Sequence, residues 1–320
     1  MSLLHSVFAH FQIVSVLSHP QQQQKEFFRK CKVSIISNGN IVGAPGHFSK
    51  VYKGFYRDAE RYFAIKVTDL ESVSASFRQN FLPRELRIWR ELNHPNHVYL
   101  YKDFMKSGYV FEIMELAVGG NMLTYVQERG PIAEMACREW MLQLIDALVY
   151  LHRNQIAHRD LKLENILIFD GGVIKISDYG FSKKSVDLSS TFCGSRSYVA
   201  PEILQGIEHD MFKVDIWSLG VIGFIMLTNT MPFYEDTGNA QIVDAQRRRQ
   251  YSFPSRLGLS RLCVRAINIL MTFEPRVRPS IFNWFIYGAM QQRSLHKINY
   301  CRCGGSCTWL RSTECERRPC

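Results

Sequence analysis

The chain has 320 residues, of which 46% are hydrophobic and 21% charged, and its formal net charge at pH 7 is +10. This composition excludes a disordered or fibrous chain, and the length allows one large two-lobed domain or two ordinary domains. The basic residues are mostly scattered, and the one run, at residues 247–249, lacks interleaved aromatic side chains. We therefore expect a solvated helix face there, and neither a nucleic-acid nor a membrane partner.

The first 35 residues are expected to form a poorly ordered extension. Residues 3–17 are mostly apolar, which leaves two alternatives, a secretory signal or an amphipathic packing helix or loose extension. We favour the second, because two histidines and a glutamine interrupt the run and no basic residue precedes it. Residues 21–24 are four glutamines, which is typical of a short polar linker.

Strand-like and helical patterns follow in the next part of the chain. The pattern is strand-like from about residue 41 to residue 67, and RYFAIKVTD, at residues 61–69, is especially rich in bulky apolar residues around one lysine, Lys66. Apolar residues recur at every third position within residues 81–95, which predicts a helix. Another strand is predicted at residues 109–114, before the glycine pair at residues 119–120.

Beyond residue 120 the patterns become those of long helices. Residues 137–152, CREWMLQLIDALVYLH, have apolar side chains at helical spacing. The longest nearly apolar run, at residues 216–227, is too short to cross a bilayer and predicts a helix that is buried on all sides. A small strand-rich part thus precedes a larger helical part, with a hinge at residues 116–120.

The most informative segment is HRDLKLENILIFDGGVIKISDYG, at residues 158–180. Two strand-like runs flank Asp170-Gly171-Gly172, which predicts a hairpin, and a two-residue turn at the glycines places Asn165 directly opposite Asp178. Opposed residues have Cβ atoms about 4.5–5.5 Å apart. A carboxamide oxygen and a carboxylate so placed can share Mg²⁺, which prefers oxygen ligands and accompanies phosphates.

Two charged residues precede this hairpin. Asp160 lies five residues before Asn165 and can reach the same site without binding the metal, which suits a base that orients a hydroxyl group. Lys162 would add a positive charge beside a transferred group. The segment therefore has the residues that a phosphate-transferring site requires.

These residues resemble the protein kinase signature. HRDLKLEN is similar to the catalytic loop, and Asp178-Tyr179-Gly180 is similar to the metal-binding D-F-G motif, with tyrosine in place of phenylalanine. Lys162 is the residue that serine/threonine kinases carry at this position. The resemblance implies an α+β, bilobal fold, in which a small antiparallel-sheet N-lobe has one main helix and the larger C-lobe is mainly helical. It also implies ATP and Mg²⁺ as cofactors and serine or threonine hydroxyls of proteins as acceptors.

The resemblance covers roughly residues 36–289. It implies an N-lobe at residues 36–117 and a C-lobe at residues 118–289, and it leaves a basic, cysteine-rich tail at residues 290–320. The sequences TFCGS, LQGI and DIWSLGV are most similar to those of the testis-specific serine/threonine kinases, within the calcium/calmodulin-dependent-kinase-like group. That similarity implies a signalling role in spermatogenesis.

The resemblance assigns roles to individual residues. Lys66 would hold the α and β phosphates with Glu85 as its helix partner, and Ser195 would bridge the base and Lys162. The implied catalytic residues are Asp160, Lys162, Lys66, Glu85 and Ser195, and the implied metal ligands are Asn165 and Asp178. The implied nucleotide site consists of Gly43, Ala44, Gly46, Ser49, Val51, Ala64, Lys66, Met114, Glu115, Ala117 and Leu167.

The glycine loop GAPGHFSKV, at residues 43–51, only partly matches G-x-G-x-x-G-x-V. Counted back from Val51, the three glycine positions fall on Ala44, Gly46 and Ser49. The central glycine is retained, where the backbone approaches the phosphates most closely. A serine in the third position costs at most about 1–2 kcal/mol if the backbone there must be left-handed. We therefore predict a loop that still binds ATP.

Further residues would regulate or support the site. Thr191 lies where many relatives are phosphorylated by an activating kinase, and Arg159 would pair with that phosphate. Glu202, in the A-P-E motif, would form a buried pair with Arg278, and Asp215 opens the central helix. The resemblance further implies an internal stack that couples the lobes, formed by Trp89, Leu100, Tyr179 and His158.

Three questions remain open at this point. The nine cysteines are odd in number and irregularly spaced, which favours a reducing compartment, and we expect a cytoplasmic monomer, with the nucleus as the alternative location. Five of them lie after residue 300, where a zinc site and a free tail are alternatives. The altered glycine loop and Tyr179 leave a pseudokinase scaffold as the rival of an active enzyme.

Overall fold

The computed structural model describes residues 33–35, 49–56, 60–191, 193–234 and 236–283. The first part of the glycine loop, most of the predicted N-terminal extension and the cysteine-rich tail lie outside these residues. The zinc alternative and the roles predicted for Gly43, Ala44 and Gly46 therefore remain predictions.

Five antiparallel strands form the sheet of the N-lobe, in the order β1-β2-β3-β5-β4. They are β1 (Val33–Ile35), β2 (Ser49–Tyr56), β3 (Arg61–Asp69), β4 (Leu100–Lys106) and β5 (Tyr109–Met114). Strand β5 has the bounds predicted from sequence, and β3 covers the predicted apolar run around Lys66, because bulky apolar residues favour a buried strand. The N-lobe was expected to begin at residue 36. Strand β1 pairs with β2, so the sheet also includes residues before that position.

One main helix, α1 (Leu82–Glu91), packs against this sheet after a π-helical turn at Phe77–Phe81. A proline in its first turn suits a helix start, since that position needs no backbone N–H bond. The buried face carries four apolar residues and one acid, Glu85. The helix ends at Glu91, because Leu92 has an extended backbone.

The C-lobe is mainly helical. Its helices are α2 (Met122–Arg129), α3 (Glu134–Arg153), α4 (Pro201–Leu204), α5 (Met211–Thr228), α6 (Asn239–Arg248) and α7 (Arg261–Leu270). Two small antiparallel pairs lie among them, β6 (Ile156–Ala157) with β9 (Lys183–Lys184) and β7 (Ile166–Ile168) with β8 (Ile174–Ile176). A sheet-rich region followed by helices confirms the predicted α+β fold.

Helix α5 forms the centre of the C-lobe, and every residue from 214 to 228 is buried. It is also the one helix within the described ranges that is long and apolar enough to cross a membrane, but its apolar surface is covered by the protein itself. A Cβ atom at Gly223 would lie 2.5 Å from the side chain of Ile267 in α7. A larger residue at this position would require the side chains of Ile267 and Met141 to shift, so glycine favours the close packing of α5 on α7.

The predicted register of the β7–β8 hairpin is wrong by one residue. Ile166 pairs with Ile176, and Phe169 N–H donates to the carbonyl of Val173 at 2.8 Å. The loop therefore has three residues, Asp170 and the two glycines, both of which have positive φ, where the sequence interpretation assumed a two-residue turn. As a result Asn165 faces Ser177, not Asp178, and accepts its backbone N–H at 2.8 Å.

Candidate active site

Strand β3 and helix α1 bring Lys66 and Glu85 together. The Lys66 Nζ lies 3.0 Å from Glu85 Oε1, and the glutamate is buried. Burial favours the neutral amine, but the charges of Glu112, Glu85 and Asp178 outweigh it and raise the pKa of Lys66 well above its usual value. The structure thus holds a charged ammonium group at the inner face of the N-lobe.

The catalytic loop gathers a second charged cluster. One oxygen of Asp160 accepts hydrogen bonds from the backbone N–H and the hydroxyl of Ser195, at 3.0 and 3.1 Å. The other oxygen lies 2.8 Å from Lys162 Nζ, which also donates to Ser195 Oγ at 2.9 Å. Burial disfavours the charge on Lys162, but the nearby Asp160 outweighs this effect and raises the pKa of the lysine. All three residues predicted for this part of the site are therefore in mutual contact.

Asp215 fixes the backbone that carries Asp160. Its two carboxylate oxygens accept the N–H groups of His158 and Arg159, at 2.9 and 2.8 Å, and one of them also contacts His152 at 2.9 Å. Arg159 has a left-handed backbone, with φ of 68°. Such a conformation costs about 1–2 kcal/mol outside glycine. These hydrogen bonds stabilise the strained loop, and Asp215 makes them from within α5, which begins at Met211 and not at Asp215 as predicted.

Asn165 and Asp178 remain neighbours of the site despite the shifted register. Asn165 donates its amide nitrogen to the backbone oxygen of Asp160 at 2.9 Å, which leaves its amide oxygen for a cation. Asp178 leaves the strand with φ of 64° and accepts the N–H of Gly180 at 3.3 Å. Burial opposes its ionisation, but the charge of Lys66, and then that of His158, hold the pKa of Asp178 below its usual value.

Several residues of the predicted nucleotide site lie on strands from both lobes. Ala64 of β3 is directly opposite Met114 of β5, and both are buried. Val51 and Leu167 are half-buried and pack against the same core cluster. The hinge residues Glu115 and Ala117 follow β5, and Ser49 is the first residue of β2.

The hinge backbone is already partly used. The N–H of Glu115 donates to the carbonyl of Tyr99 at 3.2 Å, so it is not available to a ligand. The Glu115 side chain is paired with Lys175 of β8. Strand β8 therefore helps to hold the connection between the lobes.

The predicted internal stack is assembled around Tyr179. Its ring centroid lies 5.7 Å from that of Trp89 in α1 and 5.5 Å from that of His158. Leu100 belongs to the same buried cluster. The Tyr179 hydroxyl lies 2.9 Å from both His97 Nδ1 and the carbonyl of Ile176. The stack thus joins α1 to the catalytic loop.

In the activation segment, Thr191 is exposed and Arg159 is buried. The Thr191 N–H donates to Ser189 Oγ at 3.3 Å, and Arg159 donates to the same oxygen at 3.4 Å. The Arg159 Nε also donates to the carbonyl of Phe181 at 2.7 Å. Thr191 and Arg159 are therefore linked through one serine hydroxyl.

Glu202 and Arg278 form the predicted buried pair. The two guanidinium nitrogens lie 2.6 and 3.0 Å from the two carboxylate oxygens, which is a bidentate contact. Arg278 also donates to backbone carbonyls of Thr272 and Lys213, both at 2.9 Å. The pair ties the segment after α7 to α4.

The sequence interpretation missed three residues of this region. Arg84 precedes Glu85 on α1, and its Nε is buried without a hydrogen-bond partner among the described residues. Burial, and then the charge of Arg159, lower the pKa of Arg84, so the two cations face the same region. Glu112 is a buried acid beside Lys66, and its place in an otherwise apolar strand was the available signal. Nothing in the sequence indicated that His97 contacts Tyr179.

Comparison with known proteins gives the family that the sequence motifs resemble. A model of the protein kinase domain matches residues 37–288. Testis-specific serine/threonine-protein kinase 3 of Mus musculus is 39% identical over 255 residues, which cover 77% of this chain and 94% of that protein. Testis-specific serine/threonine-protein kinase 1 of Mus musculus is 38% identical over 236 residues, with coverage of 70% and 64%. The probable serine/threonine-protein kinase MARK-B of Dictyostelium discoideum is 35% identical over 267 residues, with coverage of 82% and 36%.

The two-lobed fold and the paired charged clusters between the lobes define a protein kinase domain. The chain belongs to the serine/threonine protein kinase family, with the testis-specific kinases among its relatives. This confirms the resemblance derived from the sequence motifs.

Proposed function

We propose that the chain is an active serine/threonine protein kinase that transfers the γ-phosphate of ATP to hydroxyl groups of protein substrates. The observation that carries this proposal is the contact of Asp160 with both Ser195 and Lys162. It fixes a carboxylate, which can orient a substrate hydroxyl, beside an ammonium group that can meet a phosphate. A protein that only binds partners does not need this arrangement.

Phosphoryl transfer depends on positioning and on charge more than on covalent chemistry by the protein. Lys66, held by Glu85, would bind the α and β phosphates, and Lys162 would stabilise the charge of the γ-phosphate. Asp160 would orient the attacking hydroxyl and accept its proton. Ser195 keeps the Asp160 carboxylate in one orientation for both tasks.

The donor set suits Mg²⁺. Asn165 offers a carboxamide oxygen and Asp178 a carboxylate whose pKa is held low, and hard oxygen ligands are those that Mg²⁺ prefers. These two residues would hold the ion, which when bound neutralises charge on the phosphates. The left-handed backbone of Asp178 turns the chain out of β8 at this point.

A direct test uses purified protein with Mg²⁺, ATP and myelin basic protein, beside an Asp160→Asn variant. We expect phosphate on serine or threonine of the substrate with the natural chain and a loss of roughly a hundredfold or more with the variant. Equal signals from both proteins would contradict the proposal and favour a pseudokinase scaffold.

We further propose that an activating kinase phosphorylates Thr191, with Arg159 as a partner of the phosphate. The chain would act as a cytoplasmic monomer on protein substrates, without nucleic-acid or membrane partners, and the nucleus is the alternative location. A signalling role in spermatogenesis is supported by the testis-specific kinases among its relatives. The distribution of an endogenous tagged chain among tissues and compartments would test this.

A further inference from the structure

Glu112 is a buried acid that the proposed mechanism does not use. It lies in β5 directly opposite Lys66 of β3, so that both side chains share one face of the sheet. The residue is fully buried, and neither carboxylate oxygen accepts a hydrogen bond within the described part of the chain. Its nearest cation is Lys66, at 3.6 Å, which is beyond hydrogen-bond distance.

The charges around Lys66 are unbalanced. Glu85 lies 3.0 Å from the ammonium group, and Asp178 adds a third negative charge near it. Strand β5 lies between β3 and β4, and Asp103 of β4 is directly opposite Glu112. Asp103 is already paired with Arg90. One cation is therefore surrounded by three acids, of which Glu85 and Asp178 have assigned roles and Glu112 has none.

Packing alone does not explain Glu112. An apolar side chain would fill a buried position in the middle of a strand without the cost of desolvating a carboxylate, which is several kcal/mol for an unpaired ion. The location beside the residue that anchors the phosphates points to an effect on nucleotide binding.

We propose that Glu112 is a positioning residue for Lys66, and that its ionised form competes with the phosphates of the nucleotide for the Lys66 ammonium group. The proposal rests on the assignment of Lys66 as the phosphate anchor. It makes the affinity for phosphorylated nucleotides depend on the charge state of Glu112. The adenine and ribose contacts are unaffected.

The direction of this effect follows from the surroundings of Glu112. Burial raises the pKa of Glu112 to about 8, against the opposing charge of Lys66, and the charges of Glu85, Asp178 and Asp103 add to the increase. The side chain is therefore mostly neutral at neutral pH. Above about pH 8 it carries a negative charge, which attracts the Lys66 ammonium group and so competes with phosphate for it.

Titrations of the full chain with ADP and with adenosine, from about pH 6 to about pH 9, test the proposal. We expect Glu112→Gln to bind ADP about tenfold more tightly than the natural chain at the upper end and almost equally at the lower end. Ionisation of ADP itself cancels in this comparison, because both proteins meet the same ligand. Adenosine has no phosphate, so the two proteins should bind it equally at every pH.

Three variants serve as controls. Asp244→Asn removes an acid on the surface of α6 in the C-lobe and should leave the ADP affinity of the natural chain unchanged. When Lys66→Met is added to both proteins, the difference in ADP affinity between the natural chain and Glu112→Gln should vanish, as a double-mutant cycle requires of a direct effect. Glu112→Met gives an apolar version, and thermal unfolding shows that each variant is folded.

Several outcomes would overturn the proposal. If Glu112→Gln and the natural chain bind ADP equally at every pH, Glu112 does not compete with phosphate for Lys66. Equal changes for adenosine and ADP show a structural effect, and absence of ADP binding removes Lys66 as the anchor. The titrations can all be made in an Asp160→Asn background, because binding requires no phosphate transfer. A failure of the proposed enzyme activity is thus distinguished from a failure of this inference.

Discussion

At the scale of single residues, Tyr179 shows how one added hydroxyl is accommodated in the core. His97 Nε2 lies 3.0 Å from the carbonyl of Ala147, so this nitrogen carries the proton and Nδ1 is an acceptor. Burial lowers the pKa of His97 to about 3, which keeps the ring neutral. The Tyr179 hydroxyl has one proton, which we assign to His97 Nδ1, because the carbonyl of Ile176 already accepts the N–H of Val98 at 2.9 Å. It is a satisfied group and not a defect.

Replacing Tyr179 by phenylalanine should destabilise this protein, although phenylalanine is the usual residue of the motif. The change leaves the buried His97 Nδ1 without its donor, at a cost of about 1–2 kcal/mol in the free energy of unfolding. Urea denaturation measures the difference. Tyr125→Phe is the control, since the Tyr125 ring is only partly buried and its hydroxyl has no hydrogen bond within the described residues, so that its loss should cost less. Equal costs for both variants would contradict the role of His97.

Glu112 gives a prediction about stability and pH. Its folded-state pKa of about 8 lies above its ordinary value of 4.5, so between these pH values the folded chain binds more protons at this site than the unfolded chain. This contribution to stability is present below about pH 4.5 and is lost as the pH rises towards 8. Glu112→Gln has no ionisable group at this position, so it cannot lose this contribution to stability as the pH rises. The variant should therefore gain on the order of 3 kcal/mol relative to the natural chain between about pH 5 and about pH 8.

The measurement is urea denaturation of both proteins at several pH values within this range. Titrating groups that do not interact with Glu112 are common to both proteins and cancel in the difference. Asp244→Asn, which removes an acid on the surface of α6, should follow the natural chain. A difference between Glu112→Gln and the natural chain that does not change with pH would show that Glu112 titrates normally.

At the scale of elements, the Glu202–Arg278 pair connects α4 to the segment after α7. Both side chains are buried, and the guanidinium group donates to both carboxylate oxygens and to three backbone carbonyls. A lysine could not make the bidentate contact. The elements are thus joined by one guanidinium group.

Removing one partner of this pair should be costly. Glu202→Gln leaves the Arg278 charge buried without its counterion, and we expect a loss of about 3–5 kcal/mol in the free energy of unfolding. Asp244→Asn is the matched control, because it breaks an ion pair with Arg248 at 3.0 Å that lies on the surface. Its expected cost is below about 1 kcal/mol. Similar losses in the two variants would show that the stability of the fold depends no more on the buried ion pair than on the exposed one.

The elements also show how far the sequence determines the fold. Strands β3 and β5 and the buried helix α5 could be predicted, because long apolar runs specify burial through composition alone. The register of β7 and β8 could not, because it depends on whether Asp170 joins the two glycines in the loop. The partners of Glu112 and Arg84 were also missed, since a residue's place in a strand or helix does not reveal which distant side chains face it.

At the scale of the whole molecule, two arginines from different lobes face one region beside the activation segment. Arg84 belongs to α1 of the N-lobe, and Arg159 belongs to the catalytic loop of the C-lobe. Their charges disfavour each other, and Arg84 Nε is buried without a partner in the described part of the chain. An anion placed between them would relieve this repulsion and join the lobes.

Phosphorylation of Thr191 should supply that anion and raise the kinase activity. A phosphate that forms one or two charge-assisted hydrogen bonds with Arg84 and Arg159 stabilises the joined state by about 1.5–3 kcal/mol, which corresponds to a rate increase of roughly tenfold or more. Thr191→Ala should lose this increase while keeping the basal rate. Arg84→Met should lose most of it in the phosphorylated protein, because the link to the N-lobe is removed.

The comparison requires rates for the phosphorylated and unphosphorylated forms of each variant. Arg87→Met is the matched control, since Arg87 lies on the same helix with a side chain that is 80% exposed and should leave the activation unchanged. Because the link is electrostatic but partly buried, added salt should reduce the activation only weakly. Full activation of Thr191→Ala would show that Thr191 is not the phosphorylated residue and would indicate Ser189, whose hydroxyl already contacts Arg159. Full activation of Arg84→Met would instead show that the phosphate contacts only residues of the C-lobe.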